Sequence, residues 1–251
     1  MGTGRPEARE WVVHKFGGSS VADAECIARV AGIVEGDARP KLGVVLSACK
    51  GVTDGLLELV TLAERQDAAF QQRLEALRLR HVGIAGTLLT PSGAAAYVEQ
   101  LDRDCRDIAG ILQTVCLIRS AAQNIRDLVA GFGEIWSTRL FAALLRERHA
   151  RGGEVLWVDA RQVVVVEWGP LGPAVQWEES QANLAKLVPA GWTGTLVITG
   201  FIAADRRGIQ TTLGRNGSDF SASIFGALLD AREIVIWTDV DGVLSADPRR
   251  V

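Results

Sequence analysis

Hydrophobic and polar positions along this chain follow two alternating patterns. Short runs of Val, Ile and Leu predict buried strands, and longer stretches with apolar residues three or four positions apart predict helices. The predicted strands are Trp11 to Phe16, Lys41 to Leu46, Val155 to Val158, Val163 to Val166, Thr195 to Thr199, Ile209 to Leu213 and Glu233 to Thr238. The predicted helices are Ala22 to Glu35, Glu178 to Leu187 and Ser218 to Leu229, with four or five more between Gly55 and Arg151.

Strands that alternate with helices are typical of an α/β fold. We therefore predict an open, mostly parallel sheet that helices cover on both faces. The long helical region is expected to break near Thr90 to Gly93 and at Gly131 to Gly133, because these segments contain glycine or proline. Glu134 would then open the next helix, and Ser218 would cap the helix that starts there.

Composition and charge limit the classes of protein to which this chain could belong. The chain has 251 residues, of which 48% are hydrophobic and 23% charged, as in ordinary globular domains. A net charge of −3 argues against nucleic-acid binding. No apolar run approaches the length of a membrane span, and the amino terminus lacks the apolar core of a signal peptide. We therefore expect a cytoplasmic protein that binds neither nucleic acid nor membrane.

The cysteines do not indicate a zinc site or a disulfide framework, because no pair has C-x-x-C spacing. Free thiols in a reducing compartment are the expected state. The four residues are Cys26, Cys49, Cys105 and Cys116.

A lysine followed by two glycines ends the first predicted strand. The segment is His14-Lys15-Phe16-Gly17-Gly18-Ser19-Ser20. Glycines let a phosphate approach the backbone closely, and successive amides in such a turn form an anion-binding nest. The lysine supplies a point charge for phosphate oxygens. A tight turn with a solvated lysine is the alternative interpretation.

Two further segments fit the same chemistry. Arg215 stands between two glycines in the loop Leu213 to Asp219, and the last predicted strand runs into Thr238-Asp239. In open α/β sheets, phosphate ligands sit at strand ends of this kind. Together with the lysine turn, these segments predict a phosphoryl-transfer site. Glu134 could bind a substrate ammonium group or only complement a helix dipole.

Other motifs for phosphate chemistry fit this chain less well. The chain has no G-x-x-x-x-G-K-[ST] segment, so it is not a P-loop enzyme. The segment Ile234 to Leu244 resembles the opening strand of haloacid-dehalogenase-like phosphatases. In that family the motif begins the domain and further motifs follow, whereas ten residues follow Asp241 here. That position disfavours the phosphatase.

Six motifs in chain order carry a more specific resemblance. They are Lys15 to Val21, Val44 to Ala48 with Gly51 to Thr53, Gly133-Glu134, Gly200 to Ile202, Leu213 to Asp219, and Trp237 to Val243 with Asp247 to Arg249. This set resembles the aspartokinases of the amino-acid kinase family. At Asn216 to Ser218 and at Asp241-Gly242, the form of the motif in this chain resembles that in the kinase portion of bifunctional bacterial enzymes.

The resemblance implies a three-layer amino-acid-kinase-like sandwich and a specific reaction. The γ-phosphoryl group of ATP, with Mg²⁺, would pass to the side-chain carboxylate of L-aspartate. The products would be 4-phospho-L-aspartate and ADP, in the first step toward lysine, threonine and methionine. A carboxylate acceptor is already ionised at pH 7, so no general base is needed. Accordingly, the three histidines, His14, His81 and His149, form no cluster in the sequence.

The resemblance also implies roles for individual residues. The catalytic pair would be Lys15 and Asp219. The aspartate-binding residues would be Ser47, Thr53, Glu134, Arg215 and Ser218. The nucleotide-binding residues would be Lys15, Gly17, Gly18, Ser19, Thr238, Asp239, Leu244 and Arg249. The family usually has tyrosine where Leu244 stands, and no metal-ligating cluster is expected.

Members of the family continue past the position of Val251 with more sheet, a second phosphate-contacting lysine and small regulatory domains. Residues 1–251 are therefore expected to be a catalytic domain truncated at its C-terminus, without regulatory domains. The alternatives are a complete small kinase, a nucleotide-binding fragment with weak or no turnover, and the phosphatase. A homo-oligomer is compatible with all three.

Arg215→Ala is predicted to weaken aspartate binding by a few kcal/mol, roughly 10²-fold, because a guanidinium–carboxylate pair is lost. Nucleotide affinity should change little. Calorimetric titration with each compound checks this assignment, and a loss of nucleotide affinity alone would reverse it.

Overall fold

The computed structural model describes residues 10–148, 153–170, 172–214 and 216–238. Within these ranges the chain forms seven α-helices and nine strands. The helices are α1 Ala24–Gly36, α2 Val52–Glu64, α3 Ala69–Leu88, α4 Pro91–Ile118, α5 Gln123–Arg148, α6 Trp177–Leu187 and α7 Gly217–Leu228. The strands are β1 Trp11–Phe16, β2 Lys41–Leu46, β3 Glu154–Val158, β4 Val166–Gly169, β5 Gly172–Val175, β6 Gly194–Thr199, β7 Ile202–Ala204, β8 Gln210–Thr212 and β9 Glu233–Trp237.

Five strands form one parallel sheet in the order β3-β6-β2-β1-β9. Phe16 at the end of β1 is in register with Leu46 of β2 and Trp237 of β9, and Leu46 with Thr199 of β6. The carboxyl ends of four strands therefore meet at one edge. In parallel sheets the loops at this edge hold the ligands. The β4-β5 and β7-β8 hairpins form separate antiparallel pairs.

Helices cover the two faces of the sheet, as the alternating pattern predicts. Helix α5 packs against β3 and β6, where Trp157 donates a hydrogen bond to Thr138 Oγ1 at 2.9 Å. Helix α7 packs against β1, β2 and β9, and Gly226 of α7 lies directly against Ile234. Trp157 and Ile234 occupy adjacent register rows of the parallel strands, so their side chains lie on opposite faces. The predicted α/β architecture is confirmed.

Helix α5 corrects the prediction of a break at Gly131 to Gly133. The helix runs without interruption from Gln123 to Arg148, and Glu134 lies in its interior, not in a first turn. It is long and apolar enough to cross a membrane by length and composition alone, but 83% of its apolar window is buried inside the protein. Its composition is therefore that of a core helix.

Close packing explains why glycine occurs in the middle of α5. Gln210 of β8 donates from its side-chain amide to the backbone carbonyl of Asp127 at 2.8 Å. A Cβ at residue 131 would lie 2.2 Å from Gln210 Nε2 and 2.9 Å from Ile202 Cγ2. The β7-β8 hairpin can approach α5 only because residue 131 has no side chain. Tertiary packing thus outweighs the helix cost of about 1 kcal/mol per glycine.

Smaller differences concern local boundaries. Strand β4 begins at Val166, so most of the predicted strand Val163 to Val166 is a turn and a short bridge. The predicted loop around Gly169 to Pro173 contains parts of both strands of the β4-β5 hairpin. Asn216, not Ser218, is the N-cap residue of α7, with a left-handed φ of 56°. All four cysteines are free thiols, as predicted.

Gly131→Ala is predicted to destabilise the chain by about 1 to 3 kcal/mol, because the added methyl group overlaps the Gln210 amide and Ile202. Gly110→Ala is the matched control. Gly110 is an exposed interior residue of α4 with no atom within 4 Å of its missing Cβ, so alanine should stabilise by up to about 1 kcal/mol. Urea unfolding of the three proteins measures both effects. Equal effects at the two glycines would contradict the packing explanation.

Candidate active site

A buried lysine and an aspartate meet at the carboxyl edge of the sheet. Lys15 of β1 is 8% exposed, and its Nζ lies 2.7 Å from Oδ1 of Asp219. Asp219 lies in the first turn of α7, and its side chain is 40% exposed. The carboxylate therefore holds the lysine ammonium at the mouth of the site. The structure brings together the two residues that the sequence analysis pairs as catalytic.

The turn after β1 is tied to the loop after β2. Residues Gly18–Val21 form a short 3₁₀ helix, and Ser19 is exposed within it. The Lys50 amide donates to the Gly18 carbonyl at 3.0 Å, and the Ser47 amide donates to the Phe16 carbonyl at 3.2 Å. The Nζ of Lys15 lies 3.6 Å from the position that a Cβ on Gly17 would take. The glycine turn and Ser47 thus lie beside the lysine.

Glu134 brings a buried carboxyl group to the same loop. Glu134 is 3% exposed, and its Oε1 accepts a hydrogen bond from the Ala48 amide at 3.2 Å. Among the residues that the structure describes, Oε2 has no hydrogen-bond partner. Burial raises the pKa of Glu134 to about 8, although the Ala48 hydrogen bond opposes the shift. Without a cation, this carboxyl group is mostly protonated at neutral pH.

The contact between α5 and the β2 loop is tight. A Cβ at residue 133 would lie 2.7 Å from Ala48 Cβ, so the helix backbone touches the loop at this point. Ser137, one turn later, donates to the Ser47 carbonyl at 2.8 Å. These contacts hold Glu134 and Ser47 in a fixed relation. Ser137 was not singled out in the sequence, because a serine in an apolar helix has no distinctive pattern.

Ser218 lies next to this edge of the sheet on the α7 side. It packs against Gly200, where a Cβ would be 3.0 Å from Ser218 Cβ and 2.9 Å from the Leu46 carbonyl oxygen. Phe201 adopts a left-handed φ of 66°, and its amide donates to Ser221 Oγ at 2.9 Å. The loop after β6 is thereby fixed to α7. Thr53 is half-buried in the first turn of α2.

An imidazole-centred network anchors the strand that leads to the predicted nucleotide residues. Trp237 Nε1 donates to His14 Nδ1 at 3.0 Å, so Nε2 carries the proton that His14 donates to Asp37 at 3.0 Å. Arg39 holds Asp37 on its other side and also bonds Glu233 of β9. Burial lowers the pKa of His14, in keeping with a neutral ring.

In the sequence, His14 stands out only as the neighbour of Lys15 and as a histidine outside any cluster. Strand pairing, not spacing, brings its partners together. Exposed Thr238 directly follows the anchored strand. Arg215, Asp239, Leu244 and Arg249 lie outside the described residues.

The site offers few ligands for a protein-bound metal. Within the described ranges, no group of three or more His, Cys, Asp or Glu side chains converges on one point. Mg²⁺ often binds through one or two carboxylates together with substrate phosphates. Asp219 at the mouth of the site is compatible with that arrangement, in which the metal arrives with the nucleotide.

Comparison with known proteins agrees with this geometry. The family model described as "Amino acid kinase family" matches residues 10–251. The chain belongs to the amino acid kinase family. Its fold is also that of a solved aspartokinase III from E. coli "in complex with aspartate and ADP (R-state)". That structure is 32% identical and superimposes with a TM-score of 0.78 over 96% of this chain and 52% of the other.

Two relatives in this family carry aspartokinase names. A "Bifunctional aspartokinase/homoserine dehydrogenase, chloroplastic" from Daucus carota is 40% identical over 98% of this chain and 26% of its own length. "Lysine-sensitive aspartokinase 3" from Escherichia coli (strain K12) is 36% identical over 96% of this chain and 52% of its own length. The chain thus spans about a quarter to a half of these relatives. The family membership does not favour the dehalogenase-like phosphatase.

Glu134→Gln is predicted to make folding stability less dependent on pH. The folded-state pKa of about 8 exceeds the ordinary glutamate value of 4.5, so wild-type stability falls as pH rises between these values. The variant should therefore gain roughly a few kcal/mol over wild type from pH 5 to pH 8, and the gain should level off above that. Urea unfolding across this range measures it.

Glu178→Gln, at an exposed position of α6, serves as the control and should show no such trend. A pH-independent difference between wild type and Glu134→Gln would mean that Glu134 is ionised in the folded protein.

Proposed function

We propose that this chain transfers the γ-phosphoryl group of ATP to the side-chain carboxylate of L-aspartate, giving 4-phospho-L-aspartate and ADP. The observation that carries the proposal is the 2.7 Å pair of Lys15 and Asp219 beside the glycine turn. This buried cation supports the proposal, because it can stabilise negative charge on a transferring phosphoryl group. The aspartokinase relatives and the aspartate and ADP named for the E. coli structure support the choice of substrates.

The histidine environments suit a reaction without a general base. An acceptor carboxylate is ionised at pH 7, so catalysis needs only positioning and neutralisation of charge. His14 is occupied by Asp37 and Trp237. His81 is fully buried in α3, which lowers its pKa to about 4. Neither is available to move a substrate proton.

In this proposal one group of residues contacts the nucleotide and another binds the amino acid. Lys15 stabilises charge on the transferring oxygens, and Asp219 orients the lysine ammonium. The amides of Gly17, Gly18 and Ser19 line the phosphate path. Mg²⁺ bound to the nucleotide would neutralise phosphate charge, and Asp219, which lies beside Lys15, would be a carboxylate to hold it. Thr238, Asp239, Leu244 and Arg249 are proposed to contact the nucleotide.

The amino-acid substrate is proposed to lie beside Glu134 and the loop after β2. Glu134 would bind the α-ammonium group, which gives its unpartnered Oε2 a cation and converts the carboxyl group to its ionised form. Arg215 would hold a carboxylate, and Ser47, Thr53 and Ser218 would contribute hydrogen bonds. This assignment explains why a glutamate is tolerated in the core of an apolar helix.

The same proposal extends to the pathway and the location of the protein. The reaction would be the first step toward lysine, threonine and methionine, and the location would be cytoplasmic. The aspartokinase names of the relatives support the pathway, and the bacterial relative is compatible with the location. A homo-oligomer is compatible with the proposal.

Lys15→Ala is predicted to lower phosphoryl transfer at least roughly 10²-fold, because a charge-stabilising donor is removed. ATP-dependent formation of aspartyl hydroxamate measures the rate, beside a generic phosphatase assay. Lys41→Ala is the matched control. Lys41 also pairs with a carboxylate, Glu10, but it lies at the opposite end of the sheet.

The outcomes separate the alternatives. Equal rates for Lys15→Ala and wild type would remove Lys15 from the mechanism. Phosphatase activity without hydroxamate formation would contradict the kinase assignment. ATP and aspartate binding without turnover would identify this chain as a nucleotide-binding portion of the enzyme.

A further inference from the structure

A second cleft lies on the opposite side of α5 from Glu134. It has a volume of about 690 Å³ and is bounded by α4, α5 and β3. At 100° per residue, Arg139, Ala143 and Arg146 are 120° to 180° around the helix from Glu134. The cleft is therefore separate from the candidate active site. Its principal lining residues are Tyr97, Gln100, Asp104, Arg139, Arg146 and Trp157.

Arg139 is held in the cleft by neighbours on two elements, α4 and β3. Its Nη1 lies 2.7 Å from Asp104 Oδ2, and its guanidinium carbon lies 5.0 Å from the centre of the Trp157 ring. Trp157 is fixed in turn by its hydrogen bond to Thr138. The guanidinium plane is thus preorganised by α4 and β3. An arginine fixed in this way loses little side-chain entropy when it binds a further group.

Arg146 supplies a charge that no carboxylate compensates within the described ranges. Its Nε donates to the Val155 carbonyl at 3.0 Å, which anchors the side chain over the edge of β3. The side chain remains exposed at the cleft mouth, yet surrounding protein atoms lower its pKa by desolvation. Its Nη groups are therefore available to an oxyanion.

The carboxylates that line the cleft are already engaged. Asp104 accepts from Trp136 at 3.0 Å as well as from Arg139. Glu147 turns away to the start of α4, where it accepts from the amide and hydroxyl of Thr90, both at 2.7 Å. A carboxylate at a helix N-terminus is compensated by the helix dipole. Arg103, the third arginine that lines the cleft, pairs with Glu99, so within the described ranges Arg146 is the lining arginine without a carboxylate partner.

We propose that this cleft binds a small molecule through a phosphate or carboxylate group held by Arg146 and Arg139. Guanidinium groups bind both kinds of oxyanion through paired hydrogen bonds. The volume is within the range of small-molecule sites, and Tyr97, Trp157 and two alanines provide apolar walls. The proposal does not depend on the kinase chemistry.

Calorimetric titration with sodium pyrophosphate and, separately, with citrate tests the proposal at constant ionic strength. The Lys15→Met background weakens phosphate binding at the candidate active site. Saturable binding of at least one probe is expected. Arg146→Gln should weaken it about tenfold or more, and Arg146→Lys, which keeps the charge but loses the planar fork, should be intermediate.

Arg106→Gln is the matched control, because Arg106 is an exposed arginine of α4 that does not line the cleft. It should change affinity less than about twofold. The location is read from the indole NH resonance of Trp157, assigned with Trp157→Phe, which should shift on titration. Binding of pyrophosphate alone would support a phosphate-bearing ligand, and binding of citrate alone a carboxylate ligand.

Three results would overturn the proposal. They are no saturable binding of either probe up to about 10 mM, equal weakening by the Arg106 and Arg146 variants, and an unchanged Trp157 resonance at saturation. Circular dichroism of each variant separates loss of binding from loss of fold.

Discussion

The close packing of α5 against the carboxyl edge of the sheet is the constraint on which the candidate site depends. Helix α5 carries a carboxyl group into the core, and Gly133 lets that part of the helix touch the loop after β2. Ser137 fastens the same loop through the Ser47 carbonyl. The result is a buried glutamate with one oxygen bonded and one unpartnered among the described residues. Such a group is costly unless a cation completes it.

In the other half of the site, a buried cation is already paired with a carboxylate. Lys15 is an interior strand residue whose charge is met by Asp219 from the first turn of α7. Strand register brings Phe16, Leu46 and Trp237 level, so the loops that follow β1 and β2 lie side by side. The network of His14, Asp37 and Trp237 fixes the strand that leads to the predicted nucleotide residues. One side of the site therefore has a compensated cation, and the other a carboxyl group that needs one.

The sequence predicts the parallel sheet well, because β-branched runs and helical periodicity are local signals. It singles out Lys15 by its glycine-rich turn and Asp219 through the family resemblance, and in the structure the two side chains lie 2.7 Å apart. The break in α5 is a wrong prediction, since helix propensity does not show that Gly131 contacts Gln210 or that Gly133 contacts Ala48. The environment of Glu134 depends on the same long-range packing. Likewise, strand pairing brings Trp237 to His14, and a loop brings Asp37 to it. Both partners are distant from His14 in the sequence, so no local motif predicts these contacts.

The most direct measurement of the central claim is proton release when L-aspartate binds. Calorimetric titration at pH 7 in two buffers of different ionisation enthalpy gives the number of protons exchanged. If the ammonium group meets Glu134, whose pKa is about 8 in the free protein, binding should release about one proton, and Glu134→Gln should release about none. Aspartate binding with the same proton count in wild type and Glu134→Gln would contradict the account.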